Sequence, residues 1–170
     1  MNAPEIRKAL DTLGAAIAAD PSKAKAKNPP ASARLTEGLQ CEVTGPHGAR
    51  IVTDMPPAMG GAATGQNPGW YLRAALAACT TTVIAMRAAK LGIKLETLEL
   101  TVESESDQRG LLGLDSKVSA AMNPLRTKVR IRGDATPEAL RELVSWGDAH
   151  SPVGCTLRQS APSSLEVEVA

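Results

Sequence analysis

Thiol is the reactive group whose placement in this sequence points to chemistry. The three cysteines, Cys41, Cys79 and Cys155, are widely spaced. They form no CxxC pair and no Cys/His cluster at zinc spacing, so neither a disulfide framework nor a metal site is expected. Reduced thiols in a cytoplasmic protein are the expectation. The sequence has no phosphate-cradling glycine loop, no GxSxG elbow and no HExxH pair. A thiol attacks as its anion, which needs a cation or a dipole beside it. Nothing near Cys79 in sequence supplies one: Arg73 lies six residues earlier and faces elsewhere on a helix. An activating guanidinium must therefore come from another segment or subunit. The other reading of Cys79 is an inert packing residue, and Cys41 reads as a small core residue.

Other side chains carry weaker signals. His150 reads either as a residue acting near a thiol site or as a helix-terminal histidine favoured by the dipole. His47 falls in a turn and reads as solvated. Trp70 and Tyr71 could line the mouth of a hydrophobic substrate site or pack against a partner subunit. Glu99 and Glu103 read as a solvated strand face rather than an acid/base pair.

The elements that must position these groups follow from periodicity. Pro4–Ala19 predicts a helix with Ile6, Leu10, Leu13 and Ile17 on one face. Asp20–Pro30 has three lysines, three prolines and no large apolar residue, which predicts a solvated linker. Ala33–Thr44 alternates and predicts a strand with a bulge at Glu37-Gly38. The Gly45–Gly48 turn returns the chain into a second strand at Ala49–Thr53. After a Gly/Pro/Ala loop over Pro56–Gln66, Asn67 caps a helix that Pro68 opens and Gly92 ends. From Ala74 to Met86 this helix carries no charge, which predicts burial all round and a partner subunit to complete it. Strands are predicted at Thr97–Glu103, Lys117–Met122, Thr127–Arg132 and Leu165–Val169. A helix is predicted from Thr136-Pro137 to about His150, with a short one after Ser151-Pro152. The order is α+β.

Composition narrows the function classes. The 170 residues suit one domain, with residues 1–30 as an N-terminal helix and linker and 31–170 as the folded body. A formal charge of +1 argues against a dedicated nucleic-acid binder. The three aromatic rings, Trp70, Tyr71 and Trp146, give no stacking platform. The charge-free run is shorter than the roughly 20 apolar residues that span a bilayer, so no membrane segment is expected. Asp11 interrupts what would be the apolar region of a signal peptide.

One arrangement is distinctive. Asn67-Pro68, ten intervening residues, then Cys79 within Ala-Ala-Leu-Ala-Ala-Cys resembles the central helix of the OsmC/Ohr family, the osmotically inducible and organic hydroperoxide resistance proteins. Gly60-Gly61 fits the loop before it, and Ser151-Pro152-Val153 looks like that family's Cys-Pro-Val helix start. The resemblance covers about Ala33 to Ala170. It implies an intertwined α+β homodimer, with a long buried central helix packed against antiparallel sheets. It implies reduction of organic hydroperoxides by a peroxidatic thiolate, reset by a dithiol reductant, with no metal or other cofactor. Carried over by position, the peroxidatic cysteine is Cys79 and the nearest candidate for the catalytic arginine is Arg34. The resolving position falls on Ser151 and the arginine-orienting glutamate position on Gly69. Cys155, four residues after Ser151, is a candidate displaced resolving thiol, or an ordinary half-buried cysteine. Two function classes stay open: a thiol peroxidase using Cys79, and a catalytically degenerate dimer that binds a small apolar ligand or senses redox state.

Overall fold

A computed structural model of the chain describes residues 2–159 and 161–169. They form five helices, α1 (Ala3–Ala19), α2 (Pro68–Leu91), α3 (Gln108–Leu111), α4 (Pro137–Ala149) and α5 (Pro152–Gln159). The strands are β1 (Ser32–Glu37), β2 (Gln40–Thr44), β3 (Arg50–Thr53), β4 (Leu95–Ser104) and β5 (Leu125–Gly133). The fold is α+β, as the patterning predicts. The chain divides into two compact units, here called the helical unit (residues 1–7, 75–102 and 127–170) and the meander unit (residues 8–74 and 103–126).

The helical unit holds the core. Ile84 and Ala88 of α2 meet Leu140 and Leu143 of α4, and Ile93, Leu95, Leu98, Ile131 and Val144 close around them. Gly147 lets α4 come against α2, because a Cβ there would collide with Ile84 Cγ1. Thr136 caps α4 by accepting from the Ala139 N–H at 3.3 Å. Strands β4 and β5 pair antiparallel. Ion pairs cross between them from Glu96 to Arg132 at 2.6 Å and from Glu99 to Arg130 at 3.3 Å. These exposed pairs set register more than stability.

In the meander unit β1, β2 and β3 form an antiparallel sheet in sequence order. Ala33–Thr44 is therefore two strands and not one, and the irregularity expected at Glu37-Gly38 falls in β1, where the register shifts between Leu35 and Glu37. Glu37 faces Gln40 across a two-residue turn, and Gly38 takes φ +55 there, a conformation open to glycine. Thr53 bridges to Gln66. Next to it Asp54, 3% exposed, gathers the glycine-rich loop. Its carboxylate accepts from the N–H groups of Met55, Ala62 and Thr64 and from Thr64 Oγ1, at 2.7–3.1 Å. These bonds, the Thr64 N–H foremost, hold the Asp54 carboxyl below its usual range. Asn67 accepts from the Trp70 N–H at 2.9 Å and caps α2 as expected, and α2 stops before Gly92 at φ +76.

Two further expectations are corrected. The segment 117–122 is not a strand: Asp115 turns the chain by accepting from the Lys117 N–H at 3.0 Å, and Ser119 Oγ accepts from the Ala121 N–H at 3.1 Å. Residues 165–169 form no strand, and Leu165, Val167 and Val169 are 74–90% exposed. Alternation yields a strand only where an edge accepts its hydrogen bonds. The partner subunit expected to complete the burial of α2 is a separate chain, and within one chain the helix is buried on one face. Leu76, Thr80, Ile84 and Ala88 are buried, whereas Ala75, Ala78, Thr82 and Met86 form an exposed stripe of small and apolar residues. Length and composition alone would let α2 cross a membrane, but its buried face packs against α4.

Candidate functional site

Cys79 lies in the middle of α2 and is half-buried. Its neighbour Thr80 turns inward and is 1% exposed. Thr80 Oγ1 donates to Ser151 Oγ at 3.0 Å, deep in the helical unit. Ser151 is fully buried and also accepts from the Gly154 N–H at 3.3 Å, so one hydroxyl joins α2 to the first turn of α5. This arrangement follows from local sequence. Pro152 suits a first helical turn, and a serine before it supplies the oxygen that the open N–H groups need. The serine at the resolving position thus plays a structural part, satisfying a buried hydroxyl and capping a helix.

Cys155 sits one turn into α5, half-buried. Its thiol donates to the Ala149 carbonyl at 3.1 Å. Arg158 brings Nη2 to 3.7 Å from the sulfur. The same guanidinium holds the Asp148 carboxylate at 3.2 and 3.3 Å and the Asp148 carbonyl at 2.7 Å. Among the described residues, the Cys79 side chain has no hydrogen-bond or ion-pair partner. The guanidinium sought for Cys79 thus stands beside Cys155 instead. His150 ends α4, stacked on Trp146 with ring centroids 3.9 Å apart and Nδ1 donating to the Trp146 carbonyl at 2.8 Å. Arg87 of α2 covers Trp146 as well, 4.6 Å from the ring centroid.

The other carried-over positions lie in the meander unit. Arg34 of β1 is exposed and reaches Glu42 of β2 at 3.3 Å. Glu42 also accepts from Arg50 Nε of β3 at 2.6 Å. Arg50 first, and Arg34 after it, hold the Glu42 carboxyl below its ordinary value. Sequence reasoning missed Glu42. The signal was present in part, since Arg34 falls opposite Glu42 once Gly38 is read as a hairpin turn, while Arg50, opposite Thr44, is a diagonal neighbour of Glu42. Gly69 stands in the first turn of α2. A Cβ there would lie 2.9 Å from Met122 Sδ and 3.2 Å from Asn67 Oδ1, so a side chain fits only if Met122 moves. Arg73, one turn on, donates from Nη1 to Ser104 Oγ at 3.1 Å and lies 3.6 Å from Met122 Sδ. Tyr71 is tied to β3 through its hydroxyl, which donates to the Val52 carbonyl at 3.1 Å, while Trp70 is 43% exposed.

This architecture has known counterparts. The OsmC-like protein of Mycoplasma pneumoniae superposes with a TM-score of 0.68 at 18% identity, over 79% of this chain and 89% of its own. An OsmC-like protein of unknown function from Vibrio cholerae gives 0.62 at 15% identity, over 77% and 94%. The organic hydroperoxide resistance protein OsmC from Legionella pneumophila gives 0.55 at 21% identity, over 79% and 92%. At these identities the likeness speaks for the fold. No curated protein matches the chain in sequence. The family model described as OsmC-like protein matches residues 60–166, a span that holds α2 with Cys79, both long strands, α4 and α5. The chain belongs to the OsmC-like protein family.

Proposed function

We propose that this protein is a homodimeric, thiol-dependent reductase of organic hydroperoxides acting in the cytoplasm, with Cys79 as the attacking thiol. The observation that carries this reading is the placement of Cys79. It is half-buried at mid-helix on the long α2, within the segment that matches the family. In the reaction the Cys79 thiolate attacks the terminal O–O bond of ROOH. The sulfur takes the outer oxygen and becomes a sulfenic acid, and the inner oxygen leaves as the alcohol once protonated. A dithiol then displaces water from the sulfenic sulfur and closes to its own disulfide, returning the Cys79 thiol. Ser151 has no thiol to intercept the sulfenic acid, so the external dithiol, or Cys155, must do so. Arg34 is the guanidinium proposed to meet the thiolate. Its pairing with Glu42 gives it the carboxylate partner that Gly69 does not.

One observation supports a homodimer. Exposed apolar residues on α2, on β1 and at 165–169 give a second copy surface to cover. The name of the Legionella relative supports the peroxide reading. The test is consumption of cumene hydroperoxide with dihydrolipoamide, comparing wild type with Cys79→Ser. Turnover lost in the variant supports the reading, and equal rates refute it. The second reading, a degenerate binding protein, is favoured by the full engagement of Ser151 with Thr80 and Gly154. It predicts no turnover in either protein.

A further inference from the structure

At the start of α2, wholly within the meander unit, lies a cavity of 480 Å³. Its walls are chiefly apolar: Met55, Pro56, Met59, Leu111 and Met122. Methionine is the side chain best able to reshape itself around a flexible aliphatic guest. Arg73 also lines it, half-buried, with Ser104 Oγ and Met122 Sδ on Nη1. Neither partner is an anion. The carboxylate that lines the same cavity, Asp107, is taken by Arg109, which grips both its oxygens at 2.6–3.1 Å. That pairing holds the Asp107 carboxyl at about 2 and commits it elsewhere. The cavity therefore has an apolar body and one cation whose other N–H donors face no carboxylate among the described residues. Gly69 keeps it open, because a side chain there would meet Met122 Sδ and come within 3.7 Å of Arg73 Nη1.

We infer that this cavity is a binding site for an amphipathic monocarboxylate, with the carboxylate on the Arg73 guanidinium and the aliphatic chain between the methionines. Guanidinium and carboxylate match in a planar, two-bond fork, which fixes the head. At ~30 Å³ per atom, the liquid share of a water, the volume takes roughly 16 non-hydrogen atoms, which suits a chain of medium length. Cys79 does not line it.

The test uses the full-length Cys79→Ser protein, so that no thiol reaction at Cys79 intrudes. It titrates octanoate, 1-octanol and octylamine, three heads on one chain. Methyl-labelled methionine NMR reads the site and calorimetry the affinity. Octanoate is expected to shift Met55, Met59 and Met122 and leave Met86 unmoved, and to bind at least tenfold tighter than 1-octanol or octylamine. Arg73→Gln is expected to bring octanoate down to the level of 1-octanol, and Arg73→Lys to keep part of the preference. The head-group comparison on the unaltered cavity decides the matter if Arg73→Gln fails to fold. Equal binding of the three heads, shifts at Met86 instead of the cavity methionines, or no octanoate binding at millimolar concentration overturns the inference. None of these outcomes bears on peroxide turnover, which is measured separately.

Discussion

The two thiols of the helical unit differ in company more than in burial. Both are half-buried. Cys79 lies mid-way along a helix of 24 residues, and its sulfur has no polar partner among the described residues. Cys155 lies in an eight-residue helix, with a carbonyl 3.1 Å and a guanidinium 3.7 Å from its sulfur. A simple rule that seeks the thiol next to a cation would select Cys155. Yet Arg158 also carries Asp148, so its charge is already answered, and the Cys155 proton is engaged by Ala149. The residue that matches the family by position waits for a cation, whereas the residue that has one holds it in a closed surface network. Proximity of charge is therefore insufficient; what matters is whether the charge is free to meet a developing thiolate.

The sharpest way to break the comparison is kinetic. Cys79→Ser should lower hydroperoxide consumption at least 100-fold, a loss expected when the nucleophile itself is removed. Cys155→Ser should leave the first turnover within about threefold. If Cys155 resolves the sulfenic acid, its loss should instead send Cys79 on to sulfinic acid under excess hydroperoxide, seen by peptide mass spectrometry. A reversed pattern, with Cys155 essential, would make the charged thiol the reactive one.

The hydroxyl pair beneath Cys79 gives the next largest effect. Ser151→Ala strands the Thr80 hydroxyl and uncaps the Gly154 N–H and should cost about 1–3 kcal/mol in denaturant unfolding, whereas Thr80→Val leaves Ser151 Oγ its bond from Gly154 and should cost less. The double variant should recover the part of the loss that comes from the stranded Thr80 hydroxyl, with only the Gly154 N–H left uncapped. Strict additivity would mean that Thr80 and Ser151 are not coupled, and that α5 is held beside α2 by packing alone.

Acid should separate the two units. Asp54 and Asp107 have depressed carboxyls in the folded meander unit. Their contribution is full above the unfolded value of roughly 4 and falls away as pH drops through the folded value. For Asp107 that window runs from roughly 4 to about 2. Trp70 reports on the meander unit and Trp146 on the helical unit. In single-tryptophan variants, Trp70 fluorescence should respond to acid in this window, and Asp54→Asn should flatten its response. Coincident transitions at both tryptophans, unchanged in Asp54→Asn, would tie acid sensitivity to other carboxylates.

The smallest expected effect sharpens the role of Arg158. Arg158→Ala should slow iodoacetamide alkylation of Cys155 by about 2–5-fold while leaving Cys79 unchanged. A change at Cys79 would mean that the two thiol environments are linked.

Much of the architecture was legible in the sequence because its signals are local. Asn67-Pro68 and Gly92 bound α2, Thr136-Pro137 opens α4, and the alternation of Leu98, Leu100 and Val102 predicts β4; the structure has all three. The failures share a cause. The hairpin turn at Gly38, the turn at Asp115 and the unpaired end at 165–169 depend on which edge receives each strand. Alternation does not carry that information.

The site divides along the same line. Composition predicts a helix too apolar to stand alone, and the resemblance to the OsmC/Ohr family singles out Cys79 and sets Ser151 and Gly69 at the positions of absent helpers. Only the tertiary structure decided that Ser151 is buried against Thr80, that Arg158 attends Cys155, that Glu42 takes both Arg34 and Arg50, and that Arg73 faces a methionine-lined cavity. Helix and cap signals act over one or two turns of chain and are written in consecutive residues. The company of a polar group is set by segments brought together from up to 71 residues apart, as Thr80 and Ser151 are, and is fixed only when the chain has folded.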